Sequence, residues 1–253
     1  VTDVDIHDYA SHVEAMRTRR QFFKDNGAVS TDHSHADAGT ARLSDAQAEQ
    51  LFQQALGGTI TPTDGDALRR HMLNDQARLA VDDGLVMTLH PAVYRNHDTG
   101  AQERFGADVG GDVPTAVEFT RALQPMLDAY GNADGFHLVV FTMDETVFSR
   151  ELAPLAGWYR GMFVGAPWWF IDEIDAIMRF RRSVTGYAGF AKTSGFIDDT
   201  RAFCSIPARH DVSRRVDSAF LANLVAEHRL AMDEALETIV DLTSTQPKKV
   251  FKL

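Results

Sequence analysis

The stretch Leu79-Ala80-Val81-Asp82-Asp83-Gly84-Leu85-Val86-Met87-Thr88-Leu89-His90 decides the fold. Helical spacing of apolar residues runs from Asp64 to Val81, and Gly84 supplies the stop that commonly ends a helix. A short apolar run, Leu85–Leu89, follows at once and reads as a buried strand closed by a histidine. A helix delivered straight into such a strand is the repeating step of a parallel α/β sheet.

The same step recurs outward in both directions. Apolar runs at Ala28–Thr31, Phe136–Phe141, Met162–Ala166 and Ser194–Ile197 read as further strands. Between and around them lie helical stretches. Val13–Phe23 stops at Asn26-Gly27, and Ala46–Leu56 is opened by Ser44 and ended by Gly57-Gly58. Ala116–Tyr130, Asp172–Thr185 and a terminal stretch, Val216–Leu242, continue the pattern. Strands that are apolar throughout suit a parallel sheet covered on both faces. The expectation is an α/β fold, a parallel (β/α) barrel of TIM type, whose active site gathers at the C-terminal ends of the strands. A doubly wound sheet would place ligands similarly, but no glycine fingerprint follows the first run. Five runs are too few for eight strands, and the chain opens on Val1-Thr2-Asp3 without a methionine. Residues 1–253 are therefore expected to be the C-terminal part of a single barrel domain, with an N-terminal part absent. The first and last runs are expected at the sheet edges.

Composition narrows the classes. A net charge of -11 argues against a general nucleic-acid binder, which carries a basic face. No apolar run has the length of a membrane span, and the N-terminus lacks the basic and apolar regions of a signal peptide. The single cysteine, Cys204, rules out an intramolecular disulfide and fits a reducing, cytoplasmic location.

The chemistry-bearing residues cluster where the strand runs end: Asp32 and His33, His90, Asp144, Trp168 and Trp169, and Asp199 with Arg201. In Gly195-Phe196-Ile197-Asp198-Asp199-Thr200-Arg201-Ala202-Phe203, Asp199 and Arg201 stand two apart and share a side if the strand continues. A carboxylate beside a guanidinium can bind an anion and move protons, or can be a solvated ion pair. His90 at a strand end is either a satisfied core histidine or a metal ligand or acid/base group. Arg95 can grip a carboxylate bidentately, which favours the functional reading. His33-Ser34-His35 has the spacing of a metal pair, but the downstream glycine and alanine read as loop, leaving Asp32 as the preferred functional member. Trp168-Trp169-Phe170 cannot all enter one core, so at least one ring projects elsewhere and can wall a substrate site. The basic residues Arg209, Arg214 and Arg215 either lace the start of the last helix or add to an anion site.

Together these segments resemble the uronate isomerase family of the amidohydrolase superfamily, over nearly the whole chain. Thr31-Asp32-His33 is similar to that family's Ser/Thr-Asp-His element, and His90 with Arg95-Asn96 to its His…Arg-Asn element. Gly165, Trp168, Trp169 and Phe170 match Gly-x-x-Trp-Trp-Phe; Asp199, Thr200 and Arg201 match the Asp-Ser-Arg element; Arg209 through Arg215 resemble its Arg-His…Arg-Arg element. Asp198 stands where the family has Thr, Ile171 replaces an Asn, Asp211-Val212-Ser213 replace Glu-Tyr-Phe, and His97 and Pro91 also depart from the pattern. The family's first-strand His-x-His metal pair has no counterpart here.

The resemblance implies an aldose–ketose isomerase converting D-glucuronate to D-fructuronate, and D-galacturonate to D-tagaturonate, through an enediol. It assigns Asp199 and Arg201 as catalytic, Asp32, Arg95 and Trp168 as substrate-binding, and His90 with Asp199 as ligands of a divalent metal, zinc being expected. The partner it implies is a small uronate, with no nucleic acid and no membrane, and possible homo-oligomers. An aspartate of ordinary pKa, about 3.9, is a weak base for a carbon acid, so the barrier must fall mainly through stabilisation of the enediolate. The alternatives are a metal-dependent hydrolase of the same superfamily and a non-catalytic sugar-acid-binding remnant.

Overall fold

The computed structural model describes residues 2–199 and 202–253. Its strands are β1 (Ser30–His33), β2 (Val86–Leu89), β3 (Val93–Tyr94), β4 (Val113–Pro114), β5 (Leu138–Val140) and β6 (Met162–Val164). The helices are α1 (Tyr9–Asp25), α2 (Asp45–Leu56), α3 (Pro62–Asp83), α4 (Thr99–Phe105), α5 (Gln124–Tyr130), α6 (Ala153–Trp158), α7 (Ile174–Ala188), α8 (Ile206–Ala226), α9 (Met232–Val240) and α10 (Gln246–Phe251). Gly84 ends α3 with φ 79°, a left-handed conformation that glycine adopts without steric cost, and the chain enters β2 two residues later.

Strands β1, β2, β5 and β6 form one parallel sheet in that order, and Val164 bridges in parallel to Thr193 beyond β6. The sequence of strands in space therefore follows their sequence in the chain, and each crossover carries helix. The run Ser194–Ile197, expected as a full strand, forms none: the bridge falls on Thr193 just before it, and the run itself adds the bond from Ser194 N to Val164 O at 3.0 Å. Gly195 turns the chain away there, with φ 72° and Pro247 of α10 where a Cβ would stand. β1 lies at the other end of the sheet, as its reading required.

Register gives the sheet two different faces. Met87, Leu89, Leu138, Val140, Met162 and Val164 pack with Leu73 and Ala77 of α3, Met126 and Leu127 of α5, and Ala176 and Phe180 of α7. The opposite face carries the cross-strand row Asp32–Thr88–Val139–Phe163. There Val86, Val139, Phe141 and Phe163 meet Trp168 and, from the far end of the chain, Val250 and Phe251. α10 is tied beneath the sheet: Lys252 Nζ donates to the carbonyls of Gly84 and Gly135 at 2.7 and 2.6 Å. Both carbonyls precede strands, so α10 covers the N-terminal ends and leaves the C-terminal ends to the site.

Two helix readings change, and one segment without a reading gains structure. Ala116–Tyr130 is helical from Gln124 only, because the Glu151 carboxylate captures the amides of Phe119 and Thr120 at 2.6 and 3.0 Å and holds the segment in turns. Val216–Leu242 is two helices, α8 and α9, broken where His228 takes φ 57°. The segment after His90 forms the antiparallel β3–β4 pair and α4, for which no apolar periodicity gave a signal.

Beside the bridge, Arg181 of α7 donates to Asp217 of α8 at 2.6 and 2.7 Å and to Thr193 Oγ1 at 3.2 Å. Both ionic side chains are at most 5% exposed, so this pair clamps two helices to the last strand position in a dry environment. Arg181→Ala strands the Asp217 charge and is expected to cost about 3–5 kcal/mol, read as a lowered urea midpoint. A change within about 0.5 kcal/mol would contradict the buried-pair account.

Candidate active site

The pleat aims Ser30 and Asp32 of β1, Thr88 of β2 and His90 just beyond it to one side of the sheet, with Asp32, Thr88 and His90 toward the C-terminal ends of the strands. With Phe141, Trp168, Ile197, Asp199 and Phe251 they line a cavity of about 250 Å³. Pairing runs one step past β2, His90 N donating to His33 O at 2.9 Å, so the backbone carries His90 in strand register. Its imidazole is buried, with Nδ1 3.0 Å from Asp32 Oδ1. The Thr88 hydroxyl donates to the same oxygen at 2.7 Å. Desolvation pushes the Asp32 carboxyl up, but the hydrogen bonds from His90 and Thr88 outweigh it and hold the pKa below its ordinary value. An ionised Asp32 accepts, so Nδ1 donates, and Nε2 is the nitrogen left to face a ligand.

Gly165 gives the aromatic turn its shape: a Cβ there would fall 2.4 Å from the Phe141 ring. The three rings then separate. Trp168 is buried edge-on to Phe141 at 5.8 Å and lies 5.5 Å from the His90 ring, walling the cavity. Its indole Nε1 is buried without a hydrogen-bond partner among the described residues. Trp169 takes φ 59° and is half-buried, while Phe170 faces solvent.

Asp32, His90, Trp168 and Asp199 thus converge, Asp199 standing exposed at the rim. Arg95 does not line this cavity. It follows β3, pairs with Asp112 at 3.3 Å and stacks its guanidinium 5.3 Å from the Trp169 ring centroid. Arg201 lies outside the described residues. Asp144 is spent on its own turn, accepting from Thr146 N and Oγ1 at 2.9 and 2.7 Å. His33 and His35 turn toward a second, largely apolar groove of about 750 Å³ between α1, α3 and β1. Sequence reasoning did not find Phe251 or Thr88 as lining residues. Phe251 carried no signal, whereas Thr88 could have been found as the one polar residue inside an apolar strand.

No group of three or more His, Cys, Asp or Glu side chains among the described residues is arranged to hold a metal ion. The donor chemistry nonetheless fits part of a metal site. A carboxylate on Nδ1 that fixes the imidazole with Nε2 outward is the usual support of a metal-bound histidine, and Asp199 lines the same cavity.

The family model described as glucuronate isomerase matches residues 1–251. The chain belongs to the glucuronate isomerase family. A uronate isomerase of Cutibacterium acnes is 56% identical over 95% of this chain and 51% of its own length. One from Corynebacterium efficiens is 54% identical over 97% of this chain and 52% of its own length. The crystal structure of glucuronate isomerase from Caulobacter crescentus superposes with TM-score 0.95 at 52% identity, over 98% of this chain and 52% of that one. The chain thus spans about half the length of the curated relatives it matches. A Thermotoga maritima uronate isomerase shares the fold at TM-score 0.90 and 21% identity, over 96% of this chain and 54% of that one. No helix among the described residues is long and apolar enough to cross a membrane.

Burial, reinforced by the charges of neighbouring His35 and Arg20, pushes His33 down to about 4. The unfolded chain takes up this proton near pH 6.5, so stability should rise with pH across that window and fall as pH drops from about 6.5 toward 4. His33→Gln is expected to flatten part of this fall in urea midpoints measured by circular dichroism. An unchanged slope would show that His33 ionises freely in the fold.

Proposed function

We propose that the protein carrying this chain interconverts D-glucuronate and D-fructuronate, and D-galacturonate and D-tagaturonate, by proton transfer through an enediol. The observation that carries this reading is the convergence of Asp32, His90 and Asp199 on one cavity beneath Trp168, in a chain of the glucuronate isomerase family. The chain is read as the C-terminal part of a single (β/α)8 barrel domain of TIM type. Sequential parallel order supports this, as does the free edge of β1 beside its apolar groove.

Asp199 takes the proton from C2 of the open-chain uronate; the C–H pair forms the C1–C2 double bond while the C1 carbonyl π pair moves to O1, and after a proton passes from O2 to O1 the carbonyl re-forms at C2 as Asp199 returns its proton to C1. Arg201 is assigned to stabilise the negative charge of the enediolate. Asp32 and Trp168 orient substrate hydroxyls, the latter through its unpartnered indole N–H. Arg95 is assigned to the substrate's carboxylate, a role for which its guanidinium must turn from Asp112 and the Trp169 ring toward the cavity. His90 Nε2 and Asp199 would hold a divalent metal, proposed as zinc, with further ligands from outside this chain; when bound, it supplies Lewis acidity to the substrate's oxygens. A small uronate is the only partner proposed, and the cytoplasm the compartment.

The test is Asp199→Asn in the complete enzyme, which should abolish uronate isomerisation while leaving circular dichroism and thermal midpoint near those of the parent. Near-normal turnover by the folded variant would rule the assignment out.

A further inference from the structure

We infer that Arg209 is a positioning residue that locks the segment bearing Asp199 to the turn bearing Trp168. Arg209 stands in the first turn of α8. Its Nη1 donates to Asp198 Oδ1 and its Nη2 to Asp172 Oδ2. Asp198 is the residue immediately before Asp199, and Asp172 follows the Trp168–Ile171 turn directly. One planar guanidinium therefore spans the two loops that bring the proposed base and the aromatic wall together.

Burial makes the Asp198 arm the stronger one. The Asp198 side chain is 2% exposed, against 23% for Arg209 and 26% for Asp172, so the first carboxylate depends on Arg209 far more than a surface ion pair would. The next residue of α8 braces the same segment, since His210 sits edge-on to Phe196 with centroids 4.9 Å apart. The strand beneath holds the segment's start, through the bridge at Thr193 and the bonds of Ser194 to Val164 O and Ala166 N, with no ladder pairing from Gly195 to Asp199 among the described residues.

This inference rests on the isomerase reading, and the experiment separates the two. In the complete enzyme, Arg209→Gln is expected to lower kcat about 100-fold, as loss of alignment does, with a far smaller change in KM. Arg209→Lys keeps the charge but cannot span both carboxylates and should fall between. Asp172→Asn cuts one arm at a partly exposed position, and the double variant Arg209→Gln with Asp172→Asn should be no slower than Arg209→Gln alone. Amide hydrogen exchange over residues 195–199 should quicken in Arg209→Gln and in Asp172→Asn relative to the sheet. Wild-type kcat in folded Arg209→Gln, or in Asp172→Asn if the former fails to fold, overturns the clamp. A parent enzyme that turns over no uronate defeats the functional reading, and the exchange measurement then decides the clamp by itself.

Discussion

The candidate site depends on one hydrogen bond, between Asp32 Oδ1 and His90 Nδ1 at 3.0 Å. It joins neighbouring strands across their C-terminal ends, and it exists because Asp32 pairs with Thr88 in parallel register and His90 follows two residues on. A slip of one residue would turn Asp32 to the opposite face and bring His33 in its place. The helix-facing apolar residues, Met87 and Leu89, prevent that slip, since their burial against α3, α5 and α7 fixes which residues face inward. The hydrophobic core on one face of the sheet thus sets the chemistry on the other.

Around that pair the structure closes from below and from the side. α10 returns to the sheet, held by Lys252 on two carbonyls and by Gln246 donating to Ala191 O and Thr193 O at 2.6 and 3.0 Å. Phe251 so becomes part of the cavity wall, and Gly195 makes room for Pro247 in passing. From the side, Trp168 packs against Phe141 and stands over His90, narrowing the access of water to the imidazole. The segment with Asp199 is held by side chains of α8 rather than by an extended ladder, and this makes its geometry responsive to Arg209.

Much of this was legible in the residues because local signals agreed with the fold. Gly84 before Leu85, Ser44 before a helical stretch and the apolar strand runs each named their own structure. Convergence of Asp32, His90, Trp168 and Asp199 followed from a single rule, that parallel strands deliver their last residues to one end of the sheet. The failures have a common cause: long-range partners overrode local pattern. Glu151 holds Phe119 and Thr120 out of helix from more than thirty residues away in sequence. The neighbours of Arg95, Asp112 and the Trp169 ring, likewise come from outside its local pattern. The role of Phe251 has no sequence signal, because it is set by where α10 docks.

The most direct measurement is the tautomer of His90 in the complete protein, read from long-range proton–nitrogen NMR correlations on histidine-labelled material. An ionised Asp32 accepting from the imidazole requires a proton on Nδ1, so a neutral His90 must be the Nδ1–H tautomer. The account predicts that pattern in the wild type, and its loss in Asp32→Leu. A His90 protonated at Nε2 alone would contradict it.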